Sequence, residues 1–361
     1  MRPETEAELA DLLRGANGPV AIRGGGTRSL GAAPGEVLET GGLSGISLHE
    51  PGALTLVAGA GTPLAEAEAV LASAGQRLPF EVPDLRALLG RDGVSTLGGV
   101  VAANASGPRR VHSGACRDSL IGVRFVDGAG NIIKNGGRVM KNVTGYDLVK
   151  LMAGSHGTLG VLTEVAFKVL PAPETQATLV LHGLDDVQAV AVMSAALGSP
   201  YEVTGAAHWP GQGTFLRIEG FAESVAYRTG RLIRHLSGFG TAVVDDAADR
   251  WAAIRDVSPF VGQTGDVWRL SVKPSDAPGL VARMGAQAVL YDWGGGLIWA
   301  LTEPGTDLRA RLGVFDGHAT RVRGQGASPA FHPEPPALAN LTAGLRAQFD
   351  PRGILNLGLM G

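Results

Sequence analysis

Over the first 170 residues the spacing of apolar and polar positions keeps switching between helical and strand periods. In TEAELADLL (5–13), Leu9, Leu12 and Leu13 fall on one helical face. Thr5 stands at the N-cap with Glu8 three residues on, a capping box, and Gly15 stops the helix. PVAIR (19–23) reads as a buried strand, and the loop GGGTRS follows it. ALTLVAGAGTPLAEAEAVLASAGQRLP (53–79) predicts a strand, a tight Gly59–Gly61 turn and a helix. Thr62 is the expected N-cap there, with Pro63 in the first turn and Gly75 as the stop. VRFVDGAGNIIK (123–134) predicts a hairpin around Asp127–Gly128, and TGYDLVKLMAG (144–154) a helix. In GVLTEVAFKVLP (160–171), Val165, Phe167 and Val169 alternate with Glu164, Ala166 and Lys168, a strand with one buried face.

Pro171 and Pro173 mark a boundary, beyond which the pattern changes. From there to about 330 glycine loops thin out and strands alternate with helices, as in TFLRIEGF, AYRTGRLIRHL and VWRLSVKP. All five tryptophans lie in this stretch. A proline-rich run, SPAFHPEPPALANL, leads to a final helix and the tail FDPRGILNLGLMG.

The length of 361 residues suits two domains, or one large domain with a subdomain. A net charge of -3 gives no reason to expect nucleic acid. No apolar run reaches the length of a membrane span, and the acidic start lacks a signal-peptide pattern. The single cysteine, Cys116, excludes a disulfide within the chain and fits a reducing compartment. It also cannot supply the thiolates of an iron–sulfur cluster. The eight histidines show no metal-binding spacing, so no metal is expected. The 54 glycines, roughly twice ordinary usage, point to many close backbone approaches.

A nicotinamide fingerprint would need GxGxxG opening a helix. Gly24 and Gly26 supply two positions, but Ser29 holds the third and Pro34 follows. At Gly59 and Gly61 the third place is Leu64, and a phosphate loop of the GxxxxGK type is absent. A second small-residue segment, VSTLGGVVAANASGPRRVHSGACRDSLIGV (94–123), places Ser95, Thr96, Ser106 and Ser113 among glycines. Hydroxyls and free N–H groups donate to phosphate oxygens, so two such loops suggest one large phosphate-bearing cofactor between them.

RGGGTRS, STLGGVVAANASGPRR, RDSLIGVRFVDGAGNII, GYDLVKLMAGSHGTLGVLTEV and FDPRGILNLG occur in that order. The set resembles the FAD-binding domain of the vanillyl-alcohol oxidase / p-cresol methylhydroxylase flavoproteins, over residues 5–170 and 349–361. GHATRVRG and the short chain are most similar to the smaller, FAD-binding subunits of bacterial glycolate oxidases. The resemblance implies an α+β fold: a PCMH-type FAD-binding domain of two subdomains (1–170), an α+β cap domain (171–330), and a C-terminal segment (331–361) returning to the FAD. It implies that Arg23, Gly24, Gly25, Gly26, Thr27, Arg28 and Ser29 wrap the FAD pyrophosphate. Ser95, Thr96, Gly98 and Gly99 would continue those contacts. Asn104, Ser106, Gly107 and Gly114 would border the flavin, Gly160 and Val161 the adenine end, and Asn356 would come from the tail. Thr27 stands where covalent relatives carry histidine, so the FAD is expected to be non-covalent. His112 and Cys116 are the alternative attachment points, with packing as their expected role. His156 replaces a glutamate common in relatives, and Asn356–Leu357–Gly358 replaces their Asn-Pro-Gly.

Oxidising a 2-hydroxy acid needs an arginine for the carboxylate and a base for the hydroxyl proton. Larger relatives carry an HxGDGNxH segment that this chain lacks. Arg217, Arg269, Arg321 and His318 are the cap-domain candidates, with solvated or interface charges as the competing reading. The cap tryptophans are expected in the core or at interfaces. The expected function is the FAD subunit of a glycolate dehydrogenase complex, passing electrons to a second flavin subunit and an iron–sulfur subunit. It is expected in the cytoplasm, reaching the inner membrane through partners. A self-sufficient dehydrogenase of another hydroxy acid or alcohol, and a scaffold with structural FAD, are the alternatives.

Overall fold

The structure is a computed structural model that describes residues 1–137, 145–245, 248–326 and 328–360. Helix α1 (Glu6–Gly15) starts as its sequence dictates: the Thr5 hydroxyl accepts from Glu8 N at 3.2 Å. The Glu8 carboxylate reaches back to Glu4 N at 2.8 Å, one residue before the cap. Leu9, Ala10 and Leu13 pack with Leu38, Val126, Val161, Ile354 and Leu355. Beside them, β1 (Val20–Arg23) pairs in parallel with β2 (Glu36–Glu39). Only Val20 of β1 is buried, so this expected buried strand is largely half-covered.

Next come β3 (Ile46–Glu50), β4 (Thr55–Gly59), α2 (Leu64–Ser73) and β5 (Gln76–Arg77), followed by β6 (Leu120–Val126), β7 (Ile132–Gly136), β8 (Val161–Lys168) and β9 (Leu170–Pro171). Strands β3-β4-β8-β6-β7 form an antiparallel sheet, and β5 pairs with β9. The Asp127 carboxylate turns the β6–β7 hairpin by accepting from Ala129 N at 2.9 Å and Asn131 N at 2.8 Å. Three local readings differ. Helix α2 begins one residue late, capped by Pro63, because the Thr62 hydroxyl is spent on Gly45 N at 2.9 Å. The helix expected over 144–154 spans only Leu148–Met152, capped by Asp147; Thr144 lies outside the described residues. The long strand over 160–171 is divided between β8 and β9.

The rest of the chain supplies β10 (Thr175–Leu181), β11 (Val203–Trp209), β12 (Gly213–Gly220), β13 (Ala242–Asp245), β14 (Asp266–Val272), β15 (Ala288–Asp292), β16 (Leu297–Thr302) and β17 (Gly317–Arg323). They form one antiparallel sheet in the order β13-β10-β12-β11-β15-β16-β14-β17. Strand period decides what each face meets. Leu179, Leu216, Ile218, Trp268, Leu270 and Ile298 face helices such as Asp186–Leu197 and Ala277–Met284. Val180, Phe215, Val267, Leu297 and Trp299 face the other way, towards Leu85, Leu88 and Val111 of the first half. Chain segments from both halves therefore share one core. The architecture is α+β.

That shared face also carries a buried ionic cluster. Arg217 donates to the two Glu81 oxygens at 2.9 and 3.0 Å. Arg109 donates to Glu219 at 2.8 and 2.9 Å, and Arg77 to Glu219 at 2.9 Å. No helix among the described residues is long and apolar enough to cross a membrane.

Candidate functional site

A cleft of about 390 Å3 opens where β1 ends, within the size range of cofactor sites. Its walls include Arg23, Gly24, Gly25, Gly26, Thr27, Arg28 and Ser29, with Thr96, Gly98 and Gly99 opposite, and Gly160 and Asn356. Among the described residues, the backbone N–H groups of residues 24–29 donate to no protein acceptor. Six successive donors without protein partners, in a loop that lines the cleft, are what an anion-binding concavity requires.

The loop is shaped by crowding against its own chain. A Cβ on Gly25 would fall inside the Val94 carbonyl, and one on Gly93 against the Gly25 carbonyl oxygen. The two small-residue segments thus meet backbone to backbone, and at Gly25 this contact excludes a side chain. Arg28 pins the pair by donating to Ser95 Oγ at 2.9 Å and Pro83 O at 3.0 Å. Gly98 lets the helix Leu97–Ala102 sit on Ala60, whose Cβ would lie 2.7 Å from an added one. The Thr96 hydroxyl caps that helix through Gly99 N.

At the cleft's inner end, Asn356 accepts from Ile22 N at 2.8 Å and donates to His156 O at 2.7 Å. It holds a left-handed φ of 42° to do so, a conformation asparagine tolerates better than most residues. Ser155 Oγ is buried beside it, lines the cleft and has no hydrogen-bond partner among the described residues. Sequence reasoning did not single out Ser155, Thr40, Ala60 or Leu162 as wall residues, and noted His156 only as a departure. A loop SHGTLG gives no local sign of which backbone turn faces a cavity.

The remaining expected cofactor residues stand behind the walls. Ser95 holds Arg28. Asn104 accepts from Arg117 N, and Ser106 from Cys116 N, both at 3.0 Å. The Gly107 carbonyl accepts from the Trp293 indole, Gly114 packs on Asp118, and Val161 is in the core beside α1. Burial pushes the Cys116 thiol up, so it is not a thiolate at neutral pH. His112 is exposed.

The four cap-domain candidates separate. Arg217 is buried and its guanidinium is consumed by Glu81 and Thr204. Arg321 points to the helix-covered face beside Trp268 and clamps the carbonyls of Gly326 and Ser328. Neither is available as a carboxylate anchor. Arg269 and His318 lie on the opposite face, on paired strands: Arg269 is opposite Thr320 and His318 opposite Ser271. They are diagonal neighbours on the side that meets the first half. Burial, then the charges of Arg269, His332 and Arg110, lower the His318 pKa, which keeps its imidazole neutral.

His156 is tuned more strongly. Burial pushes its pKa down to about 4 from 6.5, and its ring meets Phe331 edge-on with centroids 4.9 Å apart. The unfolded chain therefore binds a proton that the folded chain refuses between those values. Stability is expected to fall as pH drops from 6.5 towards 4, and His156→Gln to flatten that part of the curve. Urea midpoints measured across this window check it; identical curves for both chains would refute it.

The unpaired N–H run, the orphaned Ser155 hydroxyl and the cradle of absent Cβ atoms fit a large phosphate-bearing cofactor. Residues 1–136 match the family described as FAD binding domain. Glycolate oxidase subunit GlcE of Escherichia coli is 37% identical over 346 residues, covering 95% of this chain and 92% of that one. The chain belongs to the GlcE family of FAD-binding oxidoreductase subunits. Glycolate oxidase subunit GlcD of Bacillus subtilis is 38% identical over 130 residues, 36% of this chain and 27% of that one. Among solved structures, alkyldihydroxyacetonephosphate synthase superposes with a TM-score of 0.71 at 16% identity, over 99% of this chain and 76% of that one. That likeness is one of fold. FAD is the cofactor of this GlcE-family chain.

Proposed function

We propose that the chain is the FAD subunit of a complex that oxidises glycolate, or a near relative among small 2-hydroxy acids, to the 2-oxo acid. The observation that carries this reading is the run of six unpaired backbone donors lining the cleft, in a chain of the GlcE family. The N–H groups of Gly24 to Ser29 hold the pyrophosphate, helped by the Thr96 and Ser155 hydroxyls. Asn356 fixes the inner end. Bound there, FAD supplies a two-electron acceptor for the substrate's hydrogen. On the substrate side, Arg269 pairs with the carboxylate and neutral His318 takes the hydroxyl proton. Electrons then pass to partner subunits, since one cysteine provides no thiolate set for a cluster relay. The complex works in the cytoplasm, meeting the inner membrane through those partners.

Thr27, buried at the loop's apex, has no side-chain chemistry for a flavin bond, so the FAD is held without one. Acid precipitation of the purified yellow chain is expected to leave intact FAD in the supernatant. Flavin remaining on the polypeptide would overturn this and direct attention to His112. The functional test is an anaerobic titration with glycolate and D-lactate, alone and with co-purified partners. Sustained dye reduction is expected only in the complex. Equal rates in the isolated chain would identify a self-sufficient dehydrogenase, and a flavin never reduced in either sample would identify a scaffold.

A further inference from the structure

Arg269 is not the only cation on the inner face of the cap sheet. The guanidinium carbon of Arg110, from the first half, lies 4.4 Å from the Trp293 ring centroid, and that of Arg269 lies 5.1 Å from it. Neither guanidinium donates to a protein acceptor or forms an ion pair among the described residues. This sets them apart from Arg77, Arg109 and Arg217 close by, each matched to a glutamate. Two partly buried cations against one indole repel each other, and among the described residues no carboxylate closes an ion pair with either. Asp292, the carboxyl beside them, commits an oxygen to Trp293 N at 2.7 Å. Burial raises its pKa to about 8, leaving it mostly neutral at pH 7. Burial and Arg110 together pull Arg269 down to about 10, still a cation.

Trp293 is held for this role. Its indole N–H donates to Gly107 O at 3.0 Å, in the loop that carries Arg110, and its backbone takes a left-handed φ of 54°. An exposed ion pair in water needs no such scaffold; a site that presents two guanidinium forks to an incoming anion does. We infer that Arg110 and Arg269, stacked on Trp293, form a two-arginine site for the carboxylate of a small organic acid, shared between the two halves of the chain. The acid's identity as a 2-hydroxy acid rests on the function proposed above; the anion site does not. His318 shares this face, diagonal to Arg269 on the paired strands.

The test is calorimetric titration of the FAD-loaded chain with oxalate, glycolate, sulfate and uncharged glycolamide. Oxalate and glycolate are expected to bind saturably, glycolamide not at all and sulfate more weakly. Arg269→Gln and Arg110→Gln should each weaken oxalate by about tenfold or more, as the loss of a charge-assisted hydrogen bond requires, with flavin content unchanged. Arg269→Lys, which keeps the charge and loses the fork, should fall between. Trp293→Phe should abolish the fluorescence change on oxalate binding. Absence of saturable oxalate binding to the wild-type chain overturns the site, as does unchanged affinity in both glutamine variants. Sulfate binding as tight as oxalate overturns the carboxylate assignment. Oxalate binding by the chain, with a flavin that glycolate never reduces even in the complex, leaves this site standing and defeats the function instead.

Discussion

Gly25→Val is expected to purify as a folded chain that retains no FAD. The cause is geometric. A side chain at Gly25 must displace the Val94 carbonyl, which is backbone and cannot swing away as a flexible side chain would. Moving residues 93–95 also releases the Ser95 hydroxyl from Arg28 and shifts Thr96, so both walls lose their positions together. The core beneath is spared, because Leu97, Val100 and Val101 belong to a separate packed cluster with β4, β6 and β8. The check is flavin absorbance per polypeptide after dialysis, beside a circular dichroism spectrum. Gly18→Ala is the matched control, since a Cβ there meets nothing within 4 Å. Wild-type flavin content in Gly25→Val would show that the loop does not hold the cofactor.

Glu219→Gln is expected to cost about 3–5 kcal/mol, the usual result of removing one partner from a buried charge cluster. Arg77 and Arg109 would lose their shared acceptor while remaining buried. Urea unfolding measures it, and a loss of under about 1 kcal/mol would mean the cluster is solvated in the way of surface pairs. The same cluster fixes an acid limb. Burial alone would raise the Glu219 pKa, but hydrogen bonds from Arg109 and the charges of Arg217, Arg109 and Arg77 hold it far below 4.5. A depressed carboxyl pKa stabilises the fold above its unfolded value and is lost as pH falls. The wild-type chain should therefore lose stability below pH 4.5, and Glu219→Gln should lose less of what remains.

What the sequence discloses follows from the range of the interactions. Thr5 and Glu8 announce α1 because a cap is made within one turn. The glycine loop is legible because a run of glycines has few other uses. The direction of those glycines is not: the group that crowds Gly25 lies about seventy positions away, at Val94. The same limit governs the arginines. Nothing near Arg217 in sequence reveals Glu81, which is 136 positions distant, and nothing near Arg269 reveals that it lacks such a partner. Strand period separates Arg321 from Arg269 once their register is known, but the register of β14 and β17 comes from pairing across some fifty residues. The Thr62 cap failed for a local reason that still needed the fold, since Gly45 competes for its hydroxyl.

Asn356 reaches back 334 positions to Ile22 and 200 to His156. The inner end of the cleft is thus completed by a residue that leaves the ribosome only after every strand of the large sheet, β10 to β17, has been made. The glycine loop emerges early and waits for the tail to arrive. On the cofactor placement proposed above, a nascent chain stalled anywhere before position 356 should be colourless however well its first half has folded.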